Sequence, residues 1–111
     1  MRIASDIKKN LPEFVNLCKE HKVKSLYAFG SSVTENFNPD TSDIDLITEI
    51  NDPDPLERGE ILISFWDELE LFFKRKVDLM TESSIKNPFL KKSIEATKVL
   101  IYDGSRKEVI I

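Results

Sequence analysis

Apolar residues recur along this chain with two different periods, and the switches between them mark out its elements. After Pro12, tolerated at a first helical position, Phe14, Val15, Leu17 and Cys18 fall on a helical stripe that ends near His21; before it, Ser5 can cap a short turn. Lys24 to Phe29 is short, aromatic-rich and stopped by Gly30, which predicts a strand. A polar, turn-forming passage from Ser31 to Ser42 follows, opening on a candidate helical turn from Val33 to Asn36. Asp43 to Ile50 then alternates before becoming continuously apolar, the pattern of a central strand. Pro53 and Pro55 break the chain, and Leu56 to Phe73 carries Ile61, Leu62, Phe65, Trp66, Leu69, Phe72 and Phe73 at helical spacing, predicting the longest element. Lys76 to Thr81 reads as a third strand and Phe89 to Thr97 as a short helix. Val99 to Tyr102 is an apolar run before a polar tail. Helices and strands are interleaved, so the fold class is α/β or α+β, with a small mixed β-sheet flanked by helices.

Composition adds limits. The chain has 111 residues, with 16 Lys+Arg against 20 Asp+Glu for a net charge of −4; it is 41% hydrophobic and 32% charged. At this size one core suffices, and no linker or repeat divides the chain, so residues 1–111 are expected to form one domain. One cysteine and one histidine exclude a Cys/His zinc cage and an internal disulfide, which makes a reducing, cytoplasmic setting the expectation. No apolar run reaches the ~20 residues that span a bilayer, and the opening residues carry no signal-peptide pattern, so neither export nor membrane insertion is expected. The short clusters Lys8-Lys9, Lys74-Arg75-Lys76 and Lys91-Lys92 make no stripe, which argues against strong nucleic-acid binding.

Three features carry candidate chemistry. In Phe29-Gly30-Ser31-Ser32 a strand runs into Gly-Ser, where backbone N–H groups and a hydroxyl can cradle a phosphate, although a plain turn has the same sequence. Asp43 and Asp45 are two apart at the head of a strand and therefore share a face. Paired carboxylates repel unless a cation such as Mg²⁺ or Mn²⁺ lies between them; the plainer alternative is two solvated strand-end acids. Asp78 sits between Val77 and Leu79 in a third strand, where Asp is disfavoured. If that strand neighbours the second, Asp78 completes a three-carboxylate site able to hold two divalent ions; a pair with Arg75 or Lys76 is the rival reason.

Taken together, Gly30-Ser31, Asp43-Ile44-Asp45-Leu46 and Lys76-Val77-Asp78-Leu79 resemble the Gly-Ser … Asp-x-Asp … Asp signature of the polymerase-β-like nucleotidyltransferases. The surroundings, Tyr27 to Ser31 and Ser42 to Leu46, are similar to the minimal nucleotidyltransferases (MNT) that accompany HEPN-domain proteins in toxin–antitoxin pairs. Eleven residues separate Ser31 from Asp43, where that family has ten; the polar loop Thr34 to Thr41 is expected to absorb the extra one.

The resemblance implies a nucleotidyltransferase fold, with Gly30 and Ser31 on the β and γ phosphates, Asp43 and Asp45 on Mg²⁺ (or Mn²⁺), and Asp78 completing the catalytic and metal site. It implies AMP transfer from ATP to a hydroxyl, a tyrosine of a HEPN ribonuclease toxin, and so an antitoxin with that toxin as partner. A contact-only antitoxin and a small-molecule adenylyltransferase are the alternatives. The remaining residues have structural readings: His21 at a helix end, Cys18 in the core, and the aromatic residues near Trp66 as core, with part of that surface free to meet a partner or a second copy.

Overall fold

The computed structural model describes residues 2–33 and 43–111. Residues 34–42, which hold the polar loop and most of the candidate turn from Val33 to Asn36, lie outside the described residues. The helices are α1 (Arg2–Lys9), α2 (Leu11–Glu20), α3 (Pro55–Phe73) and α4 (Pro88–Thr97). The strands are β1 (Val23–Ala28), β2 (Ile44–Ile50), β3 (Val77–Thr81), β4 (Val99–Asp103) and β5 (Glu108–Val109), and short 3₁₀ helices span Gly30–Val33 and Glu82–Ser84. The five strands form one mixed sheet in the order β3-β2-β1-β4-β5, with β2 and β3 parallel and the other pairs antiparallel. A parallel pair needs a crossover, and α3 supplies it. The mixed sheet flanked by helices is therefore present.

The N-terminal region differs from its pattern reading. Instead of a short turn before one helix there are two helices, and Ile3 and Ile7, four apart and thus on one face of α1, are both buried. The polar tail also pairs, through β5 on Tyr102 and Asp103.

Strand alternation sorts the core into two parts. Leu26, Ala28, Ile44, Leu46, Val77, Leu79 and Ile101 face α1, α2 and α3 in the main cluster, where Phe14 lies 5.2 Å from Phe72 and 6.1 Å from Phe73 between ring centroids. The opposite face holds a much smaller cluster of Phe29, Ile47 and Ile94, with Tyr27, Met80 and Ile85 against it. Asp45 and Asp78 belong to that second face, being one residue out of phase with Leu46 and Leu79. Cys18 is fully buried, and burial pushes its thiol up to about 12, which fits a small core residue. His21 is the C-cap of α2: its Nδ1 lies 2.8 Å from the Leu17 carbonyl and its Nε2 3.0 Å from Ser64 Oγ. The aromatic residues of α3 prove mostly core, Phe65 and Phe73 being buried. The exposed stripe on that helix is aliphatic instead, with Leu56 74%, Ile63 63% and Leu71 70% exposed.

The β2-to-α3 connection is tightly bonded. Asp54 caps α3 by accepting the Leu56 N–H at 3.0 Å, ahead of Pro55 in the first turn. Asp52 accepts the Asp54 N–H at 2.9 Å and the Lys22 ammonium at 3.1 Å; these bonds, the backbone one foremost, hold its carboxyl below the usual carboxylate range. Asp54→Ala removes the cap, and urea denaturation is expected to show a loss of about 1 kcal/mol with an unchanged m-value. A wild-type midpoint would show that the rest of the connection holds the helix start unaided.

Candidate active site

β1, the middle strand, delivers Gly30 to the end of the sheet where β2 begins. Phe29 N–H donates to the Asp45 carbonyl at 3.1 Å, which ties the exit of β1 to the start of β2. Gly30 then adopts φ +62°, a left-handed conformation costly to residues with a Cβ, and turns the chain into the 3₁₀ helix. A Cβ on Gly30 would lie 3.1 Å from Asp45 Oδ2, so the carboxylate of Asp45 rests directly against the Gly-Ser turn. Ser31 is half-buried in that turn. Ser32, 1% exposed, turns inward and its Oγ accepts the Asp45 N–H at 2.8 Å. The Gly-Ser turn and the acidic strand are thus bonded together through both the carbonyl and the N–H of Asp45.

Strand register brings two of the three candidate carboxylates side by side. β2 and β3 pair in parallel with Asp45 opposite Asp78, and neighbouring strands lie about 4.8 Å apart. Asp43, exposed, precedes the first residue of β2. The Asp45 carboxyl is pushed up to about 6, first by burial, then by the negative charge of Asp78 and of Asp43. That is the signature of an uncompensated acidic cluster, and its donors are all hard oxygens suited to Mg²⁺ or Mn²⁺. Among the described residues, however, no three His, Cys, Asp or Glu side chains converge in a geometry that could hold a metal ion. The acids are electrostatic neighbours without forming a closed cage.

Asp78 is positioned by two residues that periodicity reads only as helix surface and core. Trp66 Nε1–H donates to the Val77 carbonyl at 2.7 Å, and Glu70 Oε2 accepts the Val77 N–H at 2.9 Å. β3 is an edge strand, so α3 takes up backbone groups of Val77 and fixes the residue immediately before Asp78. Thr97, at the end of α4, also reaches the site: its Oγ1 accepts the Gly30 N–H at 3.2 Å. Ser32, Trp66, Glu70 and Thr97 were not readable as site residues, since each acts through a contact distant in sequence. A cleft of about 570 Å³ lies at the other end of β1, lined by Lys19, Lys22, Lys24 and Lys107 among others, and includes none of the three acids.

The family model described as a nucleotidyltransferase domain matches residues 11–101. A Methanocaldococcus jannaschii protein, provisionally named a protein adenylyltransferase, is 39% identical over 102 residues, spanning 91% of this chain and 100% of the relative. Among solved structures, a toxin–antitoxin crystal structure with AMP-PNP superimposes with a TM-score of 0.56 at 22% identity, over 83% of this chain and 72% of that one. An MNT antitoxin in complex with a tri-AMPylated HEPN toxin from Shewanella oneidensis gives a TM-score of 0.51 at 20% identity, over 89% of this chain and 74% of that one. At those identities the structural likeness speaks for the fold.

Proposed function

We propose, from the premise that the chain belongs to the nucleotidyltransferase domain family, that this nucleotidyltransferase moves AMP from ATP to a hydroxyl of a protein partner. The single observation that carries the reading is Asp45: half-buried, against the Gly30 turn, opposite Asp78, with its carboxyl raised to about 6. Such a group is costly to a metal-free fold and is suited to a divalent cation beside a phosphate. Gly30 and Ser31 would receive the β and γ phosphates, and Asp43, Asp45 and Asp78 would hold Mg²⁺ or Mn²⁺. When bound, the cation would neutralise charge on the triphosphate and lower the pKa of the attacking hydroxyl. The acceptor oxygen forms a bond to the α-phosphorus as the bond to pyrophosphate breaks, and we assign the hydroxyl proton to Asp78. Phosphoryl transfer of this kind requires positioning and electrostatics more than a protein nucleophile.

A HEPN toxin as the acceptor protein is supported by the fold likeness to an MNT antitoxin whose HEPN partner is AMPylated and by the protein adenylyltransferase name carried by a relative of matching length; the tyrosine hydroxyl as the acceptor group rests on the motif resemblance alone. One observation favours a second reading, an antitoxin acting by contact alone: the described acids do not converge on a single point. Incubation with ATP, Mg²⁺ and the HEPN-type product of the adjacent gene separates the two. The expected result is a mass gain of whole AMP units on that product; a stable complex with no mass gain sinks transfer and leaves contact.

A further inference from the structure

Thr97 lies 67 positions from Gly30 in sequence, yet its hydroxyl is the acceptor of the Gly30 N–H. A threonine hydroxyl has one proton, and here it goes to the Ser93 carbonyl one turn back, at 2.9 Å. A lone pair is therefore what faces Gly30, and its direction is fixed by the helix. α4 in turn is held at this end by few contacts. Ile94 is buried against Phe29 and Ile47. Lys98, the next residue after the helix, reaches Glu95 at 3.2 Å and Glu82 at 4.0 Å while standing 4.7 Å over the Tyr27 ring. On the acidic face a small apolar cluster and the Thr97–Gly30 hydrogen bond join α4 to the turn, whereas the other face of the sheet has the main core behind it.

Gly30 matters here through its shape. Its N–H is taken by Thr97, its φ of +62° bends the chain, and its missing Cβ admits the Asp45 carboxylate. Phe29 and Ser32 tie the two flanks of Gly30 to β2, and Gly30 itself, with no Cβ to restrict its backbone, has its amide held by Thr97. We propose that Thr97 is a positioning residue for the nucleotide: by holding the Gly30 amide from α4, it keeps the Gly-Ser turn in the conformation that receives the triphosphate and keeps that turn against Asp45. The proposal rests on the reading of Gly30-Ser31 as the phosphate turn. It adds that the phosphate site is built from two distant parts of the chain, so that affinity for nucleotide depends on where the end of α4 sits.

Thr97→Val keeps the shape and removes both hydrogen bonds, and Thr97→Ser restores them. Titration calorimetry with ATP and Mg²⁺ is expected to show about tenfold weaker binding for Thr97→Val, the scale of one donor left without its acceptor, and binding within about twofold of wild type for Thr97→Ser. The Gly30 amide should exchange faster with solvent in the Val variant alone, while both variants melt within a few degrees of wild type. ATP binding unchanged in Thr97→Val, or lost equally in Thr97→Ser, overturns the proposal. If the valine variant unfolds, Thr97→Ala, which also lacks the hydroxyl, takes its place: about tenfold weaker ATP binding supports the proposal and unchanged binding overturns it. Wild-type protein that takes up no ATP overturns instead the phosphate reading on which the proposal stands.

Discussion

Asp45→Asn is expected to abolish AMP transfer and, in the same molecule, to raise the melting temperature of the metal-free protein at neutral pH. The two effects share one cause. In the folded chain the Asp45 carboxyl has moved up from 3.8 to about 6, because burial and the charges of Asp78 and Asp43 penalise its ionised form. The folded pKa lies above the unfolded one, so the native state binds the proton more tightly. This group's contribution to stability is therefore fully present below about pH 4 and is lost as pH rises through about 6. At pH 7 the carboxylate is ionised and strained, and the amide of Asn removes the charge while keeping the shape. The side chain is only partly buried, so solvent screens the repulsion and the gain is on the order of 1 kcal/mol rather than the full value of the shift. For a domain of this size that is about 4 °C.

The same substitution tests the cation without a measurement of activity. Mg²⁺ bound only to the folded state stabilises it by about 2.7 kcal/mol at a hundred times its dissociation constant. Wild-type protein should therefore melt at progressively higher temperature as Mg²⁺ is added, and Asp45→Asn should not respond. The steepest pH dependence of wild-type melting, near pH 5, should also flatten in the variant. Equal Mg²⁺ responses in the two proteins would refute Asp45 as a ligand, even if transfer were lost.

Much of this site could be read in the sequence because a strand's period of two is a strong rule. It put Asp45 and Asp78 each opposite its apolar neighbours, and the parallel register of β2 and β3 brings the two side by side, whereas Asp43 stands just ahead of β2, where the alternation rule no longer applies. What stayed out of reach depends on tertiary approach. Trp66 and Glu70 look like one more core residue and one more helix-surface acid until β3 is found at the edge, with Val77 backbone groups facing α3. Ser32 looks like a repeat of Ser31, yet it points inward to the Asp45 amide. Thr97 ends a helix that periodicity places correctly, but nothing in its neighbourhood says which amide its hydroxyl will meet. The split of the N-terminal region into α1 and α2 was available in the spacing of Ile3 and Ile7, and the short segment hid it. The aliphatic stripe of Leu56, Ile63 and Leu71 shows the reverse limit, since the aromatic residues that drew attention on α3 are largely inside.

Gly30→Ala carries the other large expected effect, and its logic is steric. The new methyl would start 3.1 Å from Asp45 Oδ2, closer than ordinary contact, and the backbone at φ +62° would carry a Cβ that this conformation disfavours. Rotating the turn relieves both, while moving the Asp45 carboxylate relieves the contact alone. Either movement separates the Gly-Ser turn proposed to hold phosphate from the acidic strand, and displacement of about 1 Å in a transfer site costs roughly a hundredfold in rate. The stability cost should stay near 1–2 kcal/mol, because the strain is confined to one residue just beyond the end of β1. Gly59→Ala is the matched control. That glycine lies inside α3, and a Cβ there meets nothing within 4 Å, so alanine should stabilise the helix by about 0.5–1 kcal/mol and leave transfer unchanged. Measured together by thermal melts and by AMP incorporation, the two variants separate a glycine needed for its shape from one that is merely tolerated. Near-wild-type transfer by Gly30→Ala would show that the turn does not have to lie against Asp45 for catalysis, and the proposed site would then have to be built without that contact.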